Sequence, residues 1–398
     1  MKEELCRAAD SVRDELVNLS HAIHDNPELG MQEYHAVLWQ TELLRKHGFS
    51  IQSPYGGLQT AYRATFPGRG PGPRVAFLAE YDALAGVGHG CGHNVIAAAS
   101  VGAGIALASV MPDLDGEVVV LGTPAEETVG GKIPLVENGA FDDIDYVLMV
   151  HPSTTNLVKR GGRACVGIRL TYRGVAAHSA GPEDGVNALT SLIAAFNGID
   201  AVRQAWDLRQ KPTINGIITE GGQASNIICD RAVGEFTLRA DTRRYLLHMV
   251  EGVRRAAEAG ALVTGATLDF HMDSVFAERH PNHAMGGAFK ANMEALGEHM
   301  NEPDPTQATG SSDIGNVSLV VPSIHEYLAI APEGTLEHTE AFREAAASPR
   351  ADEVVVLAAK GLAMTAFDLL TDQELRERVQ AEFRAEGLPD RGEVRQAR

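Results

Sequence analysis

The chain has 398 residues, enough for two domains and a substantial core. Its 34 basic and 53 acidic residues give a net charge of −19, which argues against a nucleic-acid partner and is read as a solubility device. Four scattered cysteines (Cys6, Cys91, Cys165, Cys229) do not make a disulfide framework. The start, Met1-Lys2-Glu3-Glu4, lacks the apolar core of a signal peptide, and no uninterrupted apolar run approaches the ~18 residues of a membrane span. The expectation is a soluble, cytoplasmic protein with no membrane partner.

Apolar spacing predicts a helix over 3–24, ended by Asn26-Pro27, and a second over 32–46 that stops at Gly48. Strands and helices then alternate: strand 74–79, a small-residue helix 95–110, strand 118–121, helix 131–138 and strand 146–150. That alternation predicts an α/β domain whose mostly parallel sheet carries helices on both faces. The pattern changes after Gly161-Gly162. Strand 165–173, helix 186–206, strands 213–219 and 231–240, helix 244–259 and strand 266–273 follow. This β-α-β-β-α-β order is a complete ferredoxin-like sandwich, hence an inserted domain. The expected division is 1–164 and 276–398 for the catalytic domain and 165–275 for an inserted lid or dimerisation domain. The rest reads as helix 283–296, a turn around Gly310-Ser311-Ser312-Asp313, strand 324–330 and two closing helices, with 385–398 fraying.

The chemistry concentrates where predicted strands end. Gly88-His89-Gly90-Cys91-Gly92-His93-Asn94 follows the first parallel strand and its continuation Glu80-Tyr81-Asp82. A thiolate and an imidazole two residues apart in a glycine-rich turn can close on one metal ion. Glu126-Glu127 follows the next strand, and His151 the one after; in open α/β sheets ligands bind at the carboxyl ends of strands. Cys91, His93, Glu127, His151 and His338 are therefore candidate ligands, drawn from several loops. Two such ions about 3.5–4 Å apart polarise a carbonyl and activate a shared water. A carboxylate not tied to metal must take that water's proton. The paired glutamates offer one base and one ligand, and the spacing leaves open which is which.

These stretches resemble the aminoacylase/carboxypeptidase-type metallopeptidases of clan MH. The closer likeness is to their amidohydrolase branch of hippurate, indole-acetyl-amino-acid and aminobenzoyl-glutamate hydrolases. The matching segments are His24-Asp25-Asn26-Pro27-Glu28-Leu29, Glu80-Tyr81-Asp82-Ala83-Leu84, Cys91-Gly92-His93, Pro124-Ala125-Glu126-Glu127, Ala177-His178-Ser179 and His338-Thr339, in the family's order. The resemblance implies a dinuclear metal-dependent hydrolase of the amide bond in a small N-acyl or N-aroyl amino acid or dipeptide. By position, Cys91, His93, Glu127, His151 and His338 match the metal ligands and Glu126 the general base. Asp82 matches a carboxylate that orients a ligand from behind. His178 matches a histidine that holds the substrate carbonyl or its oxyanion, in many members at a neighbouring subunit's site. Asn94 where many relatives have Asp, and Glu80-Tyr81-Asp82 in place of Asp-x-Asp, point to the aminobenzoyl-glutamate hydrolase and β-alanyl-lysine dipeptidase subgroup, as does 310–318.

Further candidates carry two readings each. Asn226 contacts substrate or caps a loop. Arg239 clamps a substrate carboxylate or makes a structural ion pair. Ser311 lines the pocket or turns the chain. His21, His24, His35 and His89 are read as structural or solvent-facing, with His89 close enough to Cys91 for a supporting role. The ligand types admit Mn²⁺ or Zn²⁺ first, Co²⁺ or Ni²⁺ also. A homodimer through the inserted domain is expected from its sheet edge and from the family's habit. Hydrolytic deamination of an aromatic amine is the alternative reaction for the same residues. A non-catalytic metal-binding relative is the alternative of a different class.

Overall fold

The computed structural model describes residues 1–304 and 309–388. They form two compact units, Gly162–Glu278 and the remainder, Met1–Gly161 with the described chain from Arg279 onward. The insertion is wider than the expected 165–275. Cys165 and Phe276 exchange backbone hydrogen bonds of 2.9 and 3.0 Å, so pairing continues beyond the last regular strand.

The larger unit opens with α1 (Lys2–Ser11), α2 (Arg13–Asp25) and α3 (Tyr34–Lys46). The single helix expected over 3–24 is thus broken. The Ser11 hydroxyl donates to the Ala8 carbonyl at 2.7 Å, the acceptor a continuous helix would give to the Val12 N–H, which bonds Ala9 instead. Next come β1 (Ser50–Gln52), β2 (Tyr62–Pro67), β3 (Arg74–Ala79), α4 (His93–Ala108), β4 (Glu117–Gly122), α5 (Lys132–Glu137) and β5 (Tyr146–Ser153). Sequence periodicity missed β1 and β2, which extend the sheet at one edge.

The insertion contains β6 (Ala164–Arg173), α6 (Ala188–Arg203), β7 (Thr213–Glu220), β8 (Arg231–Ala240), α7 (Arg243–Thr264) and β9 (Thr267–Met272). Its antiparallel sheet has the order β7-β8-β6-β9, the ferredoxin-like arrangement, over its own core of Ile168, Leu192, Phe236 and Val253.

The first unit then resumes with α8 (His283–Ala295), α9 (Ile314–Ser318), β10 (Ser323–Ala329), α10 (Glu340–Ala345), α11 (Pro349–Thr371) and α12 (Gln373–Ala385). Three helices close the chain rather than two, and α9 begins directly after the turn read at 310–313. Of the stretch expected to fray, 389–398 lies outside the described residues, and α12 holds its shape to Ala385.

The larger sheet has the order β1-β2-β4-β3-β5-β10, with β4, β3, β5 and β10 parallel and β1 and β2 antiparallel, and helices surround it. Strand β5 is buried at all eight positions, and β3 and β4 at all but their first, as strands covered on both faces are. Helix α4 is buried on every side, which explains its composition of alanine, glycine and valine. Helix α11 is long and apolar enough by length and composition to cross a membrane, but it packs beside α4 with most of its residues inside the core.

Candidate metal centre

Four parallel strands deliver their carboxyl ends to one rim of the larger sheet, and the titratable residues collect there. After β3, the chain passes Glu80 and Asp82, turns through the glycine-rich segment and enters α4 at His93. Gly92, the residue before the helix, has φ +78° and would drive a Cβ to 2.6 Å from Pro152. Only glycine serves both needs there, and the result sets Cys91 and His93 on either side of a tight turn. After β4, Ala125 adopts φ +61°, a left-handed conformation that costs a non-glycine residue about 1–3 kcal/mol, immediately before Glu126 and Glu127. His151 lies within β5. His338 also has a positive φ, +64°, and its N–H donates to the Gly90 carbonyl at 2.9 Å.

These folds bring six sequence-predicted residues together. The donor atoms of Cys91, His93 and His151 lie within 4.8 Å of one another, as do those of Cys91, Glu127 and His338, and those of His93, Glu126 and Glu127. Cys91 Sγ is 3.5 Å from His151 Nε2, and His338 Nε2 is 3.3 Å from Glu127 Oε1. Asp82 stands behind them, buried. Its Oδ1 accepts from His93 Nδ1 at 3.0 Å and its Oδ2 from the Glu127 N–H at 2.9 Å, so one carboxylate fixes two of the candidate donors. His93 Nε2 is buried with no hydrogen-bond partner. Burial lowers the ring's pKa, but Cys91 and Asp82 outweigh it and raise it well above the usual histidine range. A bound metal would displace the Nε2 proton while Nδ1–H stays on Asp82. His151 is set the same way, its Nδ1–H donating to the Pro152 carbonyl at 2.7 Å. Sulfur, imidazole nitrogen and carboxylate oxygen, oriented and left without other partners, fit a divalent metal centre.

The electrostatics agree. Burial pushes the Cys91 thiol far above its usual range, against the opposing influence of His93. A bound cation reverses that preference and takes the thiolate. Burial and the carboxylates of Glu80, Asp313 and Glu127 raise Glu126 well above the usual carboxylate range. Burial also acts upward on Glu127, but His338 and His93 outweigh it and hold the group at about 2. His338 is raised by Glu127, while burial and His93 lower His151 despite the raising influence of Glu337.

Sequence reasoning missed a buried triad beside this centre. Lys132 is wholly buried, with Nζ 2.5 Å from Glu80 Oε1 and 2.7 Å from Asp313 Oδ1, and its N–H donates to Asp313 Oδ2 at 2.9 Å. Glu80 Oε2 faces His93 Nε2 at 3.5 Å. The available signal was a lysine at the start of a helix directly after the paired glutamates. Nothing in its spacing tied it to Asp313, which lies on the far side of the insertion. Asn94 is structural, donating to Ser20 Oγ and the Ala346 carbonyl, both at 2.9 Å. His21 bonds Asp352, His24 the Arg343 carbonyl and His35 Glu28, whereas His89 is buried, its pKa lowered to about 3 by burial.

The remaining candidates fall elsewhere. Ser311 is half-buried in the larger unit, two residues before Asp313. His178 and Asn226 belong to the insertion and are neighbours there, the Ser179 N–H donating to the Asn226 carbonyl at 2.9 Å. The exposed His178 ring accepts the Ala180 N–H on Nδ1 at 3.0 Å, which leaves Nε2–H as an outward donor. Arg239 pairs with Cys165 at the start of β6, whereas His178 follows that strand's end at Arg173. The insertion therefore holds Arg239 a strand length, ~25 Å, from the other two.

This rim defines the catalytic unit of a metal-dependent peptide or amide hydrolase. The chain belongs to peptidase family M20/M25/M40, whose family model matches residues 76–360. It is 38% identical to the Xaa-Arg dipeptidase of Mus musculus, over 96% of this chain and 92% of that protein. It is 26% identical to a p-aminobenzoyl-glutamate hydrolase subunit of Escherichia coli, over 94% of this chain and 93% of that protein. Among solved structures, a dinuclear metal-binding M20 peptidase of Bacillus subtilis superposes with a TM-score of 0.69 at 20% identity, over 91% of this chain and 99% of that one. An aminobenzoyl-glutamate utilization protein of Klebsiella pneumoniae superposes with a TM-score of 0.75 at 18% identity, over 93% and 99%. The M20 fold and the hydrolase class expected from the sequence are thereby established.

Proposed function

We propose that this protein is a dinuclear metallohydrolase that cleaves the amide bond of a dipeptide or a small N-acyl or N-aroyl amino acid. The observation that carries this reading is the convergence of Cys91, His93, Glu127, His151 and His338 around Glu126. We assign the first five as metal ligands and Glu126 as general base. Two divalent ions held there, Mn²⁺ or Zn²⁺ in first place and Co²⁺ or Ni²⁺ as alternatives, would polarise the scissile carbonyl and acidify a shared water. Glu126 takes the proton of that water and passes it to the leaving amine. Its raised pKa suits that exchange better than an ordinary carboxylate would. Asp82 holds His93 and the Glu127 backbone in place throughout. His178, with a free Nε2–H, is assigned to the carbonyl oxygen as negative charge develops on it. Asn226, Arg239 and Ser311 are assigned to substrate contacts. With Arg239 a strand length, ~25 Å, from His178 and Asn226, these groups meet one substrate only when they come from different copies of the proposed dimer. The likeness to Xaa-Arg dipeptidase favours a dipeptide with a basic C-terminal residue among these substrates.

We further propose a homodimer through the insertion and a cytoplasmic location. Edge strand β7 leaves Ile217 and Ile218 exposed, an apolar edge that a second copy would cover. A monomer by sedimentation at micromolar concentration would refute the dimer. A reducing compartment suits four cysteines none of which forms a disulfide, and cell fractionation tests the location.

The direct test incubates the metal-loaded protein with a mixed panel of dipeptides, N-acetyl and N-benzoyl amino acids, aminobenzoyl-glutamate and aryl amines, reading products by mass spectrometry. Release of an amino acid from an amide is expected, and ammonia with a phenol would indicate the deaminase instead. Glu126→Ala should abolish turnover with both metals bound. Retained turnover removes Glu126 from the role of base.

A further inference from the structure

Glu33 is wholly buried, and the chemistry above makes no use of it. It stands at the N-cap of α3, yet its side chain makes no capping bond. Glu28 performs that service instead, accepting from the His35 and Ala36 N–H groups at 3.1 and 3.0 Å. The Glu33 carboxylate is thereby released to reach across the fold, where Oε1 accepts the Ala125 N–H at 2.8 Å. Ala125 is the residue held at φ +61°, one position before Glu126.

The same segment braces the site at further points. The Glu28 carbonyl accepts from the Ala83 N–H at 2.8 Å, and Leu29 bridges to Ala83, next to Asp82. Gly30 lies so close to the glutamate loop that a Cβ would stand 2.4 Å from Thr128 Oγ1 and 2.9 Å from the Ala125 Cβ. The loop from Glu28 to Glu33 therefore touches both segments that carry the acidic groups of the rim. Burial raises Glu33 to about 7, so folding keeps a group that burial penalises at this position.

Resting on the assignment of Glu126 as base, we propose that Glu33 is a positioning residue. By accepting the Ala125 N–H it locks the left-handed turn that aims Glu126 at its water. Without an acceptor the turn relaxes to negative φ, which swings Glu126 away, while the Asp82 bond to the Glu127 N–H keeps that ligand in place and the other four stay on their own elements.

Glu33→Met fills the same space without an acceptor, and Glu33→Gln restores one. In the full-length metal-loaded protein, Glu33→Met is expected to lower kcat on the order of 100-fold, the scale of a misplacement of about 1 Å, with KM changed less than about threefold. Metal content by mass spectrometry stays at the wild-type value, and Glu33→Gln recovers kcat to within about fivefold of wild type. Gly30→Ala, which presses on the same loop from the other side, should show the same split between kcat and KM; it decides the matter if Glu33→Met does not fold. A wild-type kcat in the variant that folds overturns the proposal. So does an equal loss in the Met and Gln variants, or a loss that tracks departed metal. Turnover retained in Glu126→Ala would instead overturn the assignment of the base, so the two failures are distinguishable.

Discussion

Asp82 offers the sharpest quantitative test of how the site is held. Its two oxygens accept from two donors, His93 Nδ1–H at 3.0 Å and the Glu127 N–H at 2.9 Å, inside a fully buried pocket. Asp82→Asn keeps the shape but presents one NH₂ where an acceptor stood, so one buried donor faces another. An unsatisfied buried donor costs about 1–3 kcal/mol, and the surviving bond loses its charge assistance, about another 1 kcal/mol. If roughly 2 kcal/mol of the total falls on the ligand geometry, metal affinity drops about 30-fold, inside the 10–100-fold range usual for groups that orient ligands. The assay is competition with a calibrated chelator, read as metal retained per chain, with circular dichroism to confirm the fold. Affinity within about twofold of wild type in Asp82→Asn would refute the reasoning, since the carboxylate would then hold neither donor in a metal-binding pose.

Lys132→Met strands the buried carboxylates of Glu80 and Asp313, and is expected to destabilise the protein by about 3–5 kcal/mol by urea unfolding, with Asp313→Asn in the same chain recovering part. Glu33 supplies a pH signature. Its folded pKa is raised from 4.5 to about 7, so the folded state holds this proton more tightly than the unfolded chain, and stability falls as pH rises through that window. The cost is absent below the unfolded value and complete above about pH 7, about 3 kcal/mol at most. Glu33→Gln should therefore be more stable than wild type at about pH 8 and nearly equal to it at about pH 4. Denaturation midpoints that differ equally at both would refute this.

The strands β3 and β8 were legible in the sequence to the residue, because β3 is an apolar run after Arg74 and β8 alternates Phe236, Leu238 and Ala240 with Glu235, Thr237 and Arg239. Five of the six rim residues were legible because each stands near a strand's carboxyl end or in a glycine-rich turn, where backbone geometry and side-chain chemistry are written locally; His338, nine residues beyond β10, had its role only from the family resemblance. Lys132, Glu80 with Asp313, and Glu33 were not. Their roles rest on contacts 52, 181 and 92 residues apart in sequence, which no period or local motif encodes. The break at Val12 escaped for the opposite reason, since it turns on one serine hydroxyl competing for one carbonyl. The sequence by itself determined the order of elements, the ligand types and the class of chemistry, because apolar periodicity and donor identity are properties of short segments. Tertiary structure alone decided which buried charges stand together, since burying a carboxylate or an ammonium is tolerable only where a distant segment supplies its partner.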